Sequence, residues 1–234
     1  MELRNATVLV TGGSSGIGLS IAKALVDAGA KVAITGRDEK RLAEAAQSLK
    51  ALPIRGDVSS EADVLRTYEV VLKAFGHLDV LVNNAGRGIF KPLLQMSRAD
   101  YDAVLATNMT GAMMMAREAA KHFVTRKGGN IINIGSTASH RGAPNGTAYY
   151  ASKAALRIMT EVWRAELRQH NIRVMLVNPS EVITGFAAAS GFEQKANSSK
   201  LRGEEIAHAV KAVLEMDDRG FTTEITVFAT NPKD

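Results

Sequence analysis

The amino-acid sequence predicts an α/β fold, a doubly wound parallel sheet of about seven strands in a single domain. Three observations carry that expectation. Short β-branched runs alternate with longer stretches of helical apolar spacing along most of the chain. The first run passes through a glycine-rich turn into a helix and then a second run. Strand, turn, helix and strand within about thirty residues make a βαβ unit, whose strands are parallel and whose crossover is right-handed. At 234 residues the chain has the size of one generous domain, and no internal repeat or linker divides it.

Each element follows from local pattern. Residues 6–10 form the first strand, and residues 19–28 the first helix, with Ile21, Ala22, Leu25 and Val26 on one face and Gly29 as its stop. The second strand covers 31–35. A helix over 38–48 starts at Asp38, a residue suited to cap it, and a short strand at 52–54 ends near Gly56-Asp57. Residues 60–75 are helical with an uneven apolar face, and a short buried strand at 79–82 runs into Asn83-Asn84-Ala85-Gly86. Two helices, 98–107 and 109–126, precede the fifth strand at 130–134. The breaker-rich Gly142-Ala143-Pro144-Asn145-Gly146 leads into a long helix over 148–169. The sixth strand, 172–177, ends at Asn178-Pro179; a last helix at 204–215 and a last strand at 223–229 complete the alternation. Residues 183–202 lack clear periodicity apart from an alanine-rich start that allows a short helix, and a loop that long within a compact domain is usually a lid or binding loop.

Composition removes several classes of function. The apolar share of 46% and charged share of 23% are those of an ordinary globular protein. With no cysteine, disulfides, thiolate catalysis and cysteine-held zinc are excluded. The five histidines are scattered, none at metal-ligand spacing, so no metal is expected. The opening residues read as a strand rather than a signal peptide, and no apolar run approaches the ~20 residues of a membrane span. The expectation is a cytoplasmic protein with no membrane partner. The net charge of +5 is spread without a dense basic block, which speaks against nucleic acid and suits a phosphate-rich ligand.

In an open α/β sheet, ligands bind at the carboxyl ends of the strands. Gly12-x-x-x-Gly16-x-Gly18 lies at such an end and opens a helix, so its amides and the helix dipole point at an anion. Its spacing differs from the GxGxxG dinucleotide fingerprint. Further along, Tyr149 and Lys153 are four residues apart on the long helix and share a face. An ammonium there favours the phenolate and lowers the tyrosine's pKa from ~10. Taken alone, such a pair more often means surface packing with a snorkelling lysine.

Together the motifs resemble the short-chain dehydrogenase/reductase family. Thr11-Gly12-Gly13-Ser14-Ser15-Gly16-Ile17-Gly18 is similar to its TGxxxGxG motif and Asn83-Asn84-Ala85-Gly86 to its NNAG segment. Asn108, Ser136, Tyr149 and Lys153 match its catalytic Asn-Ser-Tyr-Lys set in order, with the usual twelve residues between serine and tyrosine. The resemblance spans nearly the whole chain. It implies a Rossmann-type fold and an oxidoreductase acting on a carbonyl or secondary alcohol, a 3-oxoacyl thioester or small ketone among the candidates. Tyr149 would be the proton donor and Lys153 its tuner and a ribose ligand. Ser136 would stabilise the carbonyl oxygen, and Asn108 would anchor a water on the proton path. Gly12, Ser14, Ser15, Gly16, Ile17, Gly18, Asn84, Ala85 and Gly86 would hold the cofactor, Asp57 and Val58 its adenine, and Pro179, Val182 and Thr184 its nicotinamide.

Cofactor choice turns on Thr35-Gly36-Arg37-Asp38. Arg37 suits the 2′-phosphate of NADP, with Asp38 as helix cap; the rival reading makes Asp38 the ribose acid of NAD. NADP is favoured. The substrate pocket is expected near Arg87 to Phe90, Thr137 to His140, Ser180 to Ile183 and the long loop, and Tyr150 competes with Tyr149 for the catalytic role. The chain departs from the family where Pro179-Ser180 replaces Pro-Gly, which strains Ser180 if that position needs positive φ, and in lacking a VDGG-like ending. Apolar residues beyond one buried face on the two long helices, Met113, Met114 and Met115 among them, imply a homodimer or homotetramer. Two alternatives stand beside the enzyme. One is a non-catalytic NADP-binding regulator on the same fold; the other, a sugar-nucleotide epimerase, belongs to longer chains with a different glycine motif.

Overall fold

The computed structural model describes residues 1–190 and 199–231; the remainder of the expected loop, 191–198, and the last three residues lie outside the described part. Seven parallel strands form one sheet in the order β3-β2-β1-β4-β5-β6-β7. They are β1 (Thr7–Val10), β2 (Lys31–Gly36), β3 (Leu52–Arg55), β4 (Val80–Asn83), β5 (Gly129–Ile134), β6 (Ile172–Pro179) and β7 (Glu224–Val227). The helices are α1 (Gly16–Asp27), α2 (Glu39–Leu49), α3 (Glu61–Phe75), α4 (Arg98–Leu105), α5 (Ala112–Arg126), α6 (Thr147–Leu167), α7 (Phe186–Ala189) and α8 (Gly203–Glu215). The chain builds outward from β1 to β3, then returns to β4 on the other side of β1. That reversal opens a crevice above the β1–β4 pair, registered Val8 to Val80 and Val10 to Val82.

Central strands buried on both faces explain their continuous apolar runs. Alternate side chains feed two cores. Val8, Val10, Ile34 and Val82 pack with Ile21 and Leu25 of α1 and Ile206 and Val210 of α8. Leu9, Leu81, Ile131 and Val174 point the other way, onto Val71 of α3 and Met115 and Phe123 of α5. Met114 and Met115 are core residues, so they are no sign of an interface; the exposed apolar side chains lie elsewhere, at Ile158 and Val162 of α6 among others.

Several boundaries moved for physical reasons. The first helix starts at Gly16 rather than 19, because the end of the glycine motif is itself the first helical turn. The two helices expected at 98–107 and 109–126 join through a π-helical turn, Ala106–Gly111. The helix expected over 148–169 ends at Leu167 and tightens into a 3₁₀ turn, closed by Asn171 in the left-handed region. Asp79 precedes its strand and accepts from Thr7 N and Oγ1, both at 2.9 Å. Asp38 caps α2 as expected, accepting from Arg41 N at 3.0 Å.

Phe123 is fully buried between α5 and the sheet. Phe123→Ala is expected to cost about 3–5 kcal/mol of folding stability, read as a fall in the urea midpoint at unchanged m-value.

Candidate active site

The glycine turn is held from both sides. Thr11 Oγ1 donates to Val82 O at 3.3 Å and accepts from the amides of Asn84 and Ala85 at 3.0 Å each. The Asn84 side chain donates back to Thr11 O at 2.9 Å and Gly12 O at 3.2 Å. Gly12 takes φ +64° and Gly16 φ +54°, conformations costly for any residue with a Cβ. A Cβ on Gly18 would lie 2.3 Å from Gly12 O, so only glycine lets the helix close onto the turn. Ser15 provides no side-chain cap and the first turn of α1 holds no acidic residue. Its free amides and the helix dipole therefore face the crevice, an arrangement that fits a dinucleotide's pyrophosphate.

At the far end of β2, Arg37 reaches Asp57 Oδ2 at 3.6 Å and is otherwise largely exposed. Burial pushes the Asp57 carboxyl up, but bonds from the Ser59 amide and hydroxyl, with the Arg37 charge, outweigh it and hold it below its usual range. The Arg37–Asp57 pair, from turns after different strands, has no signature in sequence spacing. The Asp38 carboxylate is already engaged at the start of α2.

Ser136 follows β5, Tyr149 and Lys153 lie near the start of α6, and Asn108 sits in the π-helical turn. Lys153 is buried and its Nζ donates to Ile134 O at 2.8 Å. Burial alone brings its pKa down to about 8. The Tyr149 ring lies against Phe90 and Phe186, with centroids 5.3 and 5.5 Å away, and meets Tyr150 edge-on at 6.1 Å. Burial raises the Tyr149 pKa, a hydrogen bond with Ser136 partly opposes that, and Tyr150 adds to it. The expected lowering by Lys153 is thus absent. The ammonium is turned to a carbonyl, 5.9 Å from the ring centre, and desolvation dominates both groups.

Asn108 is bonded at both ends of its amide: Oδ1 accepts from Arg87 N at 2.8 Å, and Nδ2 donates to Arg87 O and Ser152 Oγ, each at 2.9 Å. Ser152, buried on α6, donates in turn to Tyr149 O at 2.7 Å. The Asn108 side chain therefore clamps the 87 loop to α6, with both of its Nδ2 hydrogens in use. Ser180 is not strained. It lacks positive φ, and its amide simply continues the strand, donating to Val227 O at 2.9 Å. Thr184 Oγ1 accepts from Phe186 N at 3.2 Å at the start of α7, and its methyl lies beside Gly16.

One cleft of about 1250 Å³ runs from Arg37 and Asp57, over the glycine turn, to Ser136, Tyr149 and Phe186. That exceeds the ~300–1,000 Å³ of a drug-sized pocket, leaving room for a dinucleotide and a substrate. Of the residues singled out from sequence, Ser136, Tyr149, Lys153, Arg37, Val58, Asn84, Gly86, Pro179, Val182 and Thr184 line it; Gly18 and Asn108 lie behind its wall. At the substrate end Phe90, Thr137, Ala138 and Ser180 to Val182 contribute, whereas Arg87, Gly88, Ile89, Ser139, His140 and Ile183 do not. Phe186, Ser152 and Asn178 were missed, since each acts through a fold-dependent contact.

Against known proteins, the profile of the short chain dehydrogenases matches residues 6–195. An oxidoreductase of Sarocladium schorii, asL5, is 35% identical over 95% of this chain and 93% of its own. The crystal structure of a 3-ketoacyl-(acyl-carrier-protein) reductase from Brucella melitensis complexed with NADH superposes with TM-score 0.91 at 29% identity, covering 97% of this chain and 98% of that one. A metagenomic short-chain oxidoreductase in complex with NADP gives TM-score 0.86 at 33% identity, over 99% and 100% of the two chains.

The depressed pKa of Lys153 makes a sign-definite prediction. Between about 8 and the ordinary lysine value, the unfolded chain binds more protons than the folded one, so stability rises with pH there. In Lys153→Met that rise is expected to vanish, seen as urea midpoints of the two proteins converging or crossing between pH 8 and 10.5.

Proposed function

The chain belongs to the short-chain dehydrogenase/reductase family, and from that premise we propose that it moves hydride between NADP(H) and a carbonyl or secondary alcohol. The observation that carries this reading is the placement of Ser136 and Tyr149 on the wall of one cleft, with Lys153 one helical turn further along α6. The nicotinamide supplies the hydride when bound. Tyr149, kept neutral by burial, gives its proton to the carbonyl oxygen as negative charge develops there. A developing alkoxide is a much stronger base than a phenolate, so a raised phenol pKa does not block that transfer. The Ser136 hydroxyl donates to the same oxygen and stabilises its charge. Lys153 serves the ribose hydroxyls and reprotonates Tyr149; Asn108 fixes the Arg87 backbone and Ser152, and with them the start of α6. With both Nδ2 hydrogens in use, a water on the proton path would be held by main-chain groups of the π turn or by the remaining lone pair of Asn108 Oδ1.

For the cofactor end we favour NADP. Arg37 offers an exposed guanidinium at the adenosine end, and Asp38 is occupied as a cap. The anchoring set of Gly12, Ser14 to Gly18, Asp57, Val58, Asn84 to Gly86, Pro179, Val182 and Thr184 belongs to the same proposal. Phe90 and Phe186 beside Tyr149 favour an apolar group next to the carbonyl, consistent with a 3-oxoacyl thioester or a small ketone. Exposed Ile158 and Val162 on α6 support a homo-oligomer, which we place in the cytoplasm as a single-domain enzyme.

Tyr149→Phe is expected to lower kcat by at least about a hundredfold, the contribution typical of a positioned general acid, while NADPH still binds by fluorescence titration. Tyr150→Phe should keep most of its activity; equal losses in the two variants would reassign the donor. NADPH binding without oxidation against a panel of ketones, aldehydes, 3-oxoacyl thioesters and keto acids would instead identify a nucleotide-binding regulator. In the same absorbance assay, Arg37→Ala is expected to raise KM for NADPH about tenfold or more, the loss of one charge-assisted phosphate contact, and to leave NADH little changed. Wild-type use of both cofactors with equal kcat/KM would remove the case for Arg37.

A further inference from the structure

Glu224, the first residue of β7, meets three elements of the candidate site at once. Its Oε1 accepts from Asn178 Nδ2 at 2.7 Å and lies 3.0 Å from His140 Nε2. Its Oε2 lies 3.6 Å from Arg157 Nε on α6. Arg157 is one helical turn beyond Lys153, which is one turn beyond Tyr149, so all three share a face of α6. Asn178 is fully buried in β6, and its Oδ1 accepts from the Ser136 amide at 3.1 Å. A Cβ on Gly135 would fall 2.2 Å from that oxygen, so the approach exists only because residue 135 is glycine.

We infer that Glu224 is a positioning residue that sets Ser136 against Tyr149 from the edge strand of the sheet. An ionised carboxylate only accepts hydrogen bonds, so Glu224 compels Asn178 to present its NH₂ toward β7 and its oxygen toward Ser136. Through His140 the same carboxylate holds the other end of the short turn Thr137–Ser139 that carries the serine. Through Arg157 it ties that turn to the helix of Tyr149. Two side chains that must reach one carbonyl oxygen, from two different elements, are thus referred to a single anchor. Arg164, whose Nε donates to Val174 O and Nη2 to Thr223 O, adds a further cation around Glu224 and completes the cluster.

This inference rests on the proposed reductase reading, and its test separates the two. Hydrogen exchange over residues 135–140 needs no substrate: Glu224→Ala should lose amide protection there, and Glu224→Gln, which can still accept from Asn178, should keep it. Where wild type reduces a carbonyl, Glu224→Ala should lower kcat by roughly ten- to a hundredfold with NADPH affinity unchanged, the penalty of a misplaced group. Glu224→Gln, losing only the part-exposed ion pairs, should cost no more than roughly fivefold. Added to Ser136→Ala, the alanine change should cost little more, because its effect runs through Ser136. If the alanine variant does not fold, Glu224→Val, with better strand propensity, repeats every arm. Unchanged exchange at 135–140, or losses that multiply in the double variant, would overturn the positioning role. A wild type inert toward every carbonyl would overturn the reductase reading and leave the exchange result to decide on Glu224.

Discussion

The hydrogen bonds exchanged by Thr11 and Asn84 are the constraint on which the rest of the cleft depends. They join β1 to β4, the two strands where the chain reverses its direction of travel across the sheet. Without them the glycine turn would have no wall opposite, and the crevice between the two halves would have no fixed width. Gly12 and Gly18 make the arrangement possible by admitting left-handed backbone and near-contact between turn and helix. A parallel sheet supplies the direction: every strand delivers its carboxyl end, and so its loop, to one edge.

Around that edge, burial outweighs pairwise charge. Lys153 and Tyr149 share a helix face, yet each has its pKa moved chiefly by loss of water, the amine downward and the phenol upward. The lysine finds a backbone carbonyl rather than the phenol. Burial thus favours the neutral phenol of Tyr149. Neutral polar groups behind the wall, Asn108 and Ser152 above all, hold the geometry without adding charge to a desolvated space.

Much of this was legible in the residues. All seven strands and the long helices follow from the alternation of short runs with helical spacing; central strands buried on both faces require apolar runs, and the covering helices require a stripe. The glycine motif announced a turn into a helix, and Asp38 announced a cap. What failed did so at junctions. The π turn at Ala106–Gly111 leaves no mark in periodicity, the Met114 and Met115 pair turned inward, and Ser180 proved unstrained since β6 continues through Pro179. The pairings Arg37–Asp57 and Asn178–Glu224 join residues that only neighbouring strands bring together.

The sequence by itself determined the family, the order of elements and the chemistry-bearing residue types, because propensity, period and glycine placement are properties of short segments. Tertiary structure alone decided which way Lys153 points, how far Tyr149 is desolvated, and that a carboxylate on the last strand reaches the serine turn. Those outcomes depend on distances between segments far apart in the chain, and on water excluded by the whole fold, neither of which is encoded in any local stretch.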